Sequence, residues 1–229
     1  MSAATAPPAT PPAAAIAKLK ILSSSALRAE SLESLLGTEG AAAALYFEHF
    51  SGLLKHDDHI PGLEPTPQTK DPFTFNFTQR NRRPPTDPVN AMLSLAYSLL
   101  AKDATIALLS CGLDPYLGLY HQPRHGRPAL ALDLMEEFRP LIAESTVLTA
   151  INTGMVTPNS FIQAGHSVNL SPTGRKAFFQ AYENRINTTI THPLFDYKVT
   201  YRRALELQAR LLMRVLEGET PHYQPFLTR

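Results

Sequence analysis

Apolar residues recur at a spacing near 3.6 along most of the chain, as in Leu93, Tyr97 and Leu100, or Phe178, Tyr182 and Ile186, which is the signature of helices with one buried face. The pattern predicts helices over 24–36, 38–54, 88–102, 104–111, 128–143, 145–153, 173–190 and 198–217. Around Gly165 the segment SFIQAGHSVNLSPTG alternates weakly between apolar and polar residues, so a short hairpin is expected there. The fold class that follows is all-α: a mainly helical bundle with at most one short hairpin.

Two stretches fall outside this pattern. The first seventeen residues hold eight alanines and four prolines, so residues 1–18 read as a Pro/Ala-rich, disordered extension and 19–229 as one helical domain. Prolines 7, 8, 11 and 12 and the lack of a basic start argue against a signal peptide. The polar, Pro-rich stretch from Lys55 to Pro85 predicts a long loop within 55–87, and loops of that length are usually functional or disordered.

No run of about 18 apolar residues suggests a membrane span. The single cysteine, Cys111, cannot form an internal disulfide, which fits a reducing cytoplasm. The net charge is only +1, but the arginines cluster: Arg80, Arg82 and Arg83; Arg124 and Arg127 around His125; Arg202 and Arg203. Such clusters suit phosphate, and equally a plain solvated face.

Residues 113–140, LDPYLGLYHQPRHGRPALALDLMEEFRP, carry the most chemistry. After turns at Asp114-Pro115 and Gly126-Arg127-Pro128 a helix is predicted, with Leu134, Met135, Phe138, Leu141 and Ile142 on its core side. Asp133, Glu136 and Glu137 stand at i, i+3 and i+4, which on a regular helix puts three carboxylates on the opposite face. That face is either solvated or neutralised by a cation, an arginine or a metal. His121 lies in the loop ahead of it. Glu39, in GTEGAAAALYFEHF, is expected at the start of a helix capped by Thr38, with Gly40 and four alanines leaving room for a large neighbour. The tetrad His56 to His59, HDDH, looks like a metal site but has no helix to fix its ligands.

Five ordered blocks resemble the CRISPR-associated Cas-one family of spacer-acquisition integrases: EGAAAALYF (39–47), RNRRPPTDPVNAMLSLAYSLL (80–100), GLDPYLGLYH (112–121), GRPALALDLMEEFRP (126–140) and the closing YQPFLTR (223–229). The resemblance implies a helical catalytic domain whose metal ligands are Glu39, His121 and Glu136, with Asp133 as an auxiliary acid and Glu48 outside the set. Two carboxylates and an imidazole without thiolate suit Mn²⁺ or Mg²⁺.

The resemblance further implies metal-assisted, in-line joining of the 3′ ends of short DNA to CRISPR repeat DNA, with Arg80, Arg82, Arg83, Arg124, Arg127 and Arg139 as phosphate contacts. Arg139 could equally neutralise the acidic face. The implied partners are DNA, the small second Cas protein and a second copy of the chain. Family members carry an N-terminal β-rich domain, and this chain has the Pro/Ala-rich extension in its place. Two readings therefore stay open, an active endonuclease/integrase and a DNA-binding or assembly module split from its N-terminal domain.

Overall fold

A computed structural model of the chain describes residues 12–54 and 73–228. Helix α1 spans Ala13–Ala26 and α2 spans Leu32–Glu48, followed by a 3₁₀ turn, Phe50–Leu53. Residues 13–18 are therefore helical, although their composition predicts an unpacked extension. Alanine explains the difference: it is the strongest helix former, and Pro12 stands just outside the first turn, where proline is tolerated. The expected boundary at 38 is also displaced. Ser31 caps α2 by accepting from the Ser34 backbone N–H, while the Thr38 hydroxyl donates back to the Ser34 carbonyl inside the helix.

Helix α3, Pro88–Ser110, is one element where the sequence predicts two. Asp87 caps it by accepting from the Asn90 N–H, and Pro88 occupies the first turn. It ends where Gly112 takes φ 81, a conformation that favours glycine. Eleven residues of α3, from Pro88 to Leu108, are buried. By length and composition α3 could cross a membrane, contrary to the expectation from the sequence. Its packing against α4, α7 and the segment after α4 accounts for that apolarity as a core helix.

The predicted helix 128–143 is broken into three. A short α4, Ala129–Met135, passes into a 3₁₀ turn, Glu136–Phe138, then a π-helical segment, Arg139–Glu144, and then α5, Ser145–Asn152. Pro140 lacks an N–H and so cannot extend the α-helical ladder.

The expected hairpin is present, with β1, Phe161–Ala164, antiparallel to β2, Ser167–Leu170. A second hairpin exceeds the one predicted. After α6, Pro172–Ile186, strand β3, Thr189–Thr191, pairs with β4, Lys198–Thr200, before α7, Tyr201–Leu216. Three-residue strands give too few alternations to be read from sequence.

One contiguous core runs from the end of α2 to the C-terminal tail, including Phe50, Met92, Leu93, Phe138, Ile142, Phe178, Ile186 and Leu205, all fully buried, while α1 packs on α2 outside it. Residues 73–87, expected as loop, contribute to it. Phe77 packs on Phe47 and Phe50, and Phe75 on Phe161. The tetrad 56–59 lies outside the described residues.

Candidate metal and nucleic-acid site

The loop before α4 is held by one carboxylate. Asp133 accepts from the backbone N–H groups of Leu119 (2.6 Å), Tyr120 (3.0 Å) and His121 (2.8 Å), and its Oδ1 lies 2.7 Å from His121 Nδ1. With its oxygens so engaged, Asp133 orients the histidine rather than standing free as a ligand. With Nδ1 donating to that carboxylate, His121 Nε2 is the nitrogen with a lone pair to offer, the arrangement in which carboxylates hold metal-ligating histidines. Gly118 makes the close fit possible: a Cβ there would come within 2.6 Å of the Ala129 Cβ and still closer to the His121 carbonyl.

Glu39 sits in the middle of α2 rather than at its start. Its Oε2 accepts from the Tyr120 hydroxyl at 2.6 Å, so α2 reaches the His121 loop. Burial, then the Glu39 carboxylate, push the Tyr120 phenol well above its ordinary range, keeping it a donor. The Tyr120 and His121 rings meet edge to face, 5.4 Å apart. Gly40 has open space around its Cα.

Glu136 pairs with Arg139 at 2.7 Å. Burial pushes the Glu136 carboxyl upward against the pull of Arg139, and Glu39 raises it further while His121 lowers it, so the three residues share one electrostatic neighbourhood. Burial alone would lower the Arg139 guanidinium, but Glu136 and Tyr97 outweigh it and hold the charge. Arg139 also lies over the Tyr97 ring, 4.8 Å from its centroid.

The single acidic face expected from spacing does not form. The 3₁₀ turn rotates Glu137 away from Glu136. Glu137 instead accepts from the Tyr223 hydroxyl, the Phe226 N–H and Gln208 Nε2 (3.1 Å). It thereby pins the C-terminal tail, whose Phe226 stacks on Phe138 at 5.0 Å.

The arginines divide in two. Arg80 is part-buried, bonded to Asn90 Oδ1 (2.7 Å), Ser94 Oγ (3.1 Å) and the Asn81 carbonyl. Together with Arg139 it is committed to internal partners. Arg82, Arg83 and Arg124 are exposed and Arg127 is half-exposed.

Among the described residues no three His, Cys, Asp or Glu side chains converge closely enough to hold an ion as they stand. Glu39 faces Tyr120 and Glu136 faces Arg139. The donor set nevertheless fits a hard divalent cation by its chemistry: two carboxylates, and an imidazole whose other nitrogen is fixed.

Sequence reasoning missed Tyr120, Glu144 and the Glu137–Tyr223–Phe226 latch. A tyrosine beside a histidine, or an acid at the end of an apolar helix, carries no periodic signal.

Residues 4–184 match the family described as CRISPR associated protein Cas1. A Cas4 exonuclease/Cas1 endonuclease fusion from Geobacter sulfurreducens is 53% identical over 204 residues, covering 89% of this chain and 34% of the fusion. A CRISPR-associated endonuclease Cas1 from Thermus thermophilus is 46% identical over 202 residues, covering 88% of this chain and 56% of its own length. The chain thus spans from about a third to somewhat over half of these relatives.

Among solved structures, the fold is similar to a Cas1 protein from Thermotoga maritima, with TM-score 0.72, 24% identity, and coverage of 93% of this chain and 60% of that one. It is also similar to a chain of a Cas6-RT-Cas1–Cas2 complex, with TM-score 0.75, 28% identity, and coverage of 94% and 22%. With the family matched over most of its residues and close relatives at about half identity, this chain belongs to the CRISPR-associated Cas1 family.

Proposed function

We propose that this chain carries the catalytic domain of a metal-dependent DNA endonuclease/integrase of CRISPR adaptation. The observation that carries the reading is the His121–Asp133 pair, which frees His121 Nε2 for a ligand beside Glu39 and Glu136. Glu39, His121 and Glu136 would hold Mn²⁺ or Mg²⁺, which would supply a Lewis acid and a template for in-line displacement at phosphorus. Of this chain's own groups, Tyr120 and Arg139 hold the two carboxylates in place. Exposed Arg82, Arg83 and Arg124 and half-exposed Arg127 neutralise DNA phosphates and set its register. The substrates are the 3′ ends of short DNA and repeat DNA. The partners are a small Cas2-type protein, in line with the Cas6-RT-Cas1–Cas2 complex that contains a similar chain at 28% identity, and a second copy of the chain.

A second reading, a DNA-binding or assembly module of the adaptation complex, rests on the exposed arginines Arg82, Arg83 and Arg124, which can hold phosphate without any metal chemistry. One experiment separates the two. Purified protein with Mn²⁺ is expected to cleave or resolve branched DNA, and Glu39→Ala or His121→Ala to abolish this. A wild type that binds branched DNA at low salt but leaves it intact supports the second reading.

A further inference from the structure

Glu144 is the only carboxylate among the described residues that is fully buried, at 4% exposure, and the catalytic reading makes no use of it. It ends the π-helical segment that Arg139 begins. No cation among the described residues pairs with it. Its partners are phenols. The Tyr97 hydroxyl donates to Glu144 Oε1 at 2.7 Å, and the buried Tyr46 phenol lies near enough to feel the charge of the same carboxylate. Burial, followed by the charge of Glu144, raises both phenols, so both remain donors. A buried carboxylate is costly to desolvate, and an apolar residue would fill the space at lower cost if packing were all that was required.

Where the network leads explains why a carboxylate is there. Tyr46 stands on α2 seven residues after Glu39, two helical turns along the same face. Tyr97, on α3, lies under the Arg139 guanidinium, and Arg139 grips Glu136 at 2.7 Å. Glu144 is thus linked to Glu136 through Tyr97 and Arg139, and it stands beside the helix that carries Glu39. π-Helical segments are frequent at functional sites, and this one runs from Arg139 to Glu144.

We propose that Glu144 is a positioning residue of the candidate metal site: through Tyr46 it sets the rotation of α2 that presents Glu39, and through Tyr97 and Arg139 the orientation of Glu136. The inference rests on the reading of Glu39, His121 and Glu136 as ligands. Glu144 touches neither metal nor DNA, and acts only through the tyrosines.

The test is Mn²⁺ binding, followed by electron paramagnetic resonance of the free ion, alongside thermal melting. Wild type, Glu144→Ala, Glu144→Gln and Tyr46→Phe are compared with Ile186→Val, a core variant whose apolar side chain makes no hydrogen bond in the network. Tyr46→Phe and Glu144→Ala are expected to melt cooperatively and to weaken Mn²⁺ about tenfold or more, as loss of outer partners does at metal sites. Glu144→Gln keeps an acceptor for one phenol and an amide for the other, and is expected to retain most of the affinity. Ile186→Val is expected to lower the melting temperature without weakening Mn²⁺.

A folded Glu144→Ala with wild-type affinity overturns the inference and leaves the ligand reading intact. Should that variant not fold, a folded Tyr46→Phe with wild-type affinity does the same. Equal loss of Mn²⁺ in Ile186→Val also overturns it. A wild type that binds no Mn²⁺, unaltered by Glu39→Gln, removes the ligand reading and this inference with it.

Discussion

His121 Nδ1 lies 2.7 Å from Asp133 Oδ1, and the same carboxylate accepts three consecutive backbone N–H groups that end at His121. One side chain therefore sets both the loop and the ring that the loop presents. Asp133→Asn removes an acceptor oxygen and leaves at least one part-buried donor unpaired, a loss on the order of 1–3 kcal/mol. Urea unfolding is expected to show that loss, and a Mn²⁺ titration an affinity lower by about 10–100-fold.

Gly118 supports the same loop by having no side chain. Gly118→Ala places a methyl against the His121 carbonyl and Ala129, so the loop must move away from α4. The expected result is a displaced His121 imidazole resonance by NMR, with stability reduced by about 1–3 kcal/mol, as for overpacked sites.

The arginines should separate in a salt titration. Each exposed arginine that contacts a phosphate contributes about one unit to the dependence of log binding on log salt. Arg82→Ala and Arg124→Ala are expected to flatten that slope with no change in melting temperature. Arg80→Ala is expected to destabilise the fold instead, because Asn90 and Ser94 lose their part-buried partner.

The tail latch is a stability element. Phe226 is 3% exposed and stacks on Phe138, so Phe226→Ala is expected to cost about 3–5 kcal/mol. Glu137→Ala strands the Phe226 N–H and removes the acceptor of the Tyr223 hydroxyl. Limited proteolysis should then cut residues 217–228, which resist in the wild type.

His192 predicts an acid sensitivity. It is buried, its Nδ1 accepts from the Leu194 N–H at 3.2 Å, and its Nε2 is buried without a hydrogen-bond partner. Burial holds its pKa below the ordinary 6.5. The unfolded chain takes up this proton first as pH falls, so stability is full above about pH 6.5 and declines below it, toward the lower folded pKa. Melting followed between pH 8 and 5 should show a decline that His192→Asn flattens. Asn keeps an acceptor for the i+2 N–H but does not titrate.

Sequence alone settled what depends on local spacing. The 3.6 periodicity placed α6 and α7, alternation around Gly165 marked β1–β2, and of the expected apolar set Leu134, Met135, Phe138 and Ile142 are buried while Leu141 is half-buried. The ordered blocks named the family. Tertiary structure alone decided how the acids part company. Asp133, Glu136 and Glu137 share a face only on a regular helix: Asp133, still on α4, turns to the His121 loop, while the 3₁₀ and π segments after Met135 send Glu136 to Arg139 and Glu137 to the C-terminal tail. The pairings of Glu39 with Tyr120 and of Glu144 with Tyr97 cross 81 and 47 residues. No local pattern encodes such contacts, because they exist only once the core has brought α2, α3 and the broken helix together.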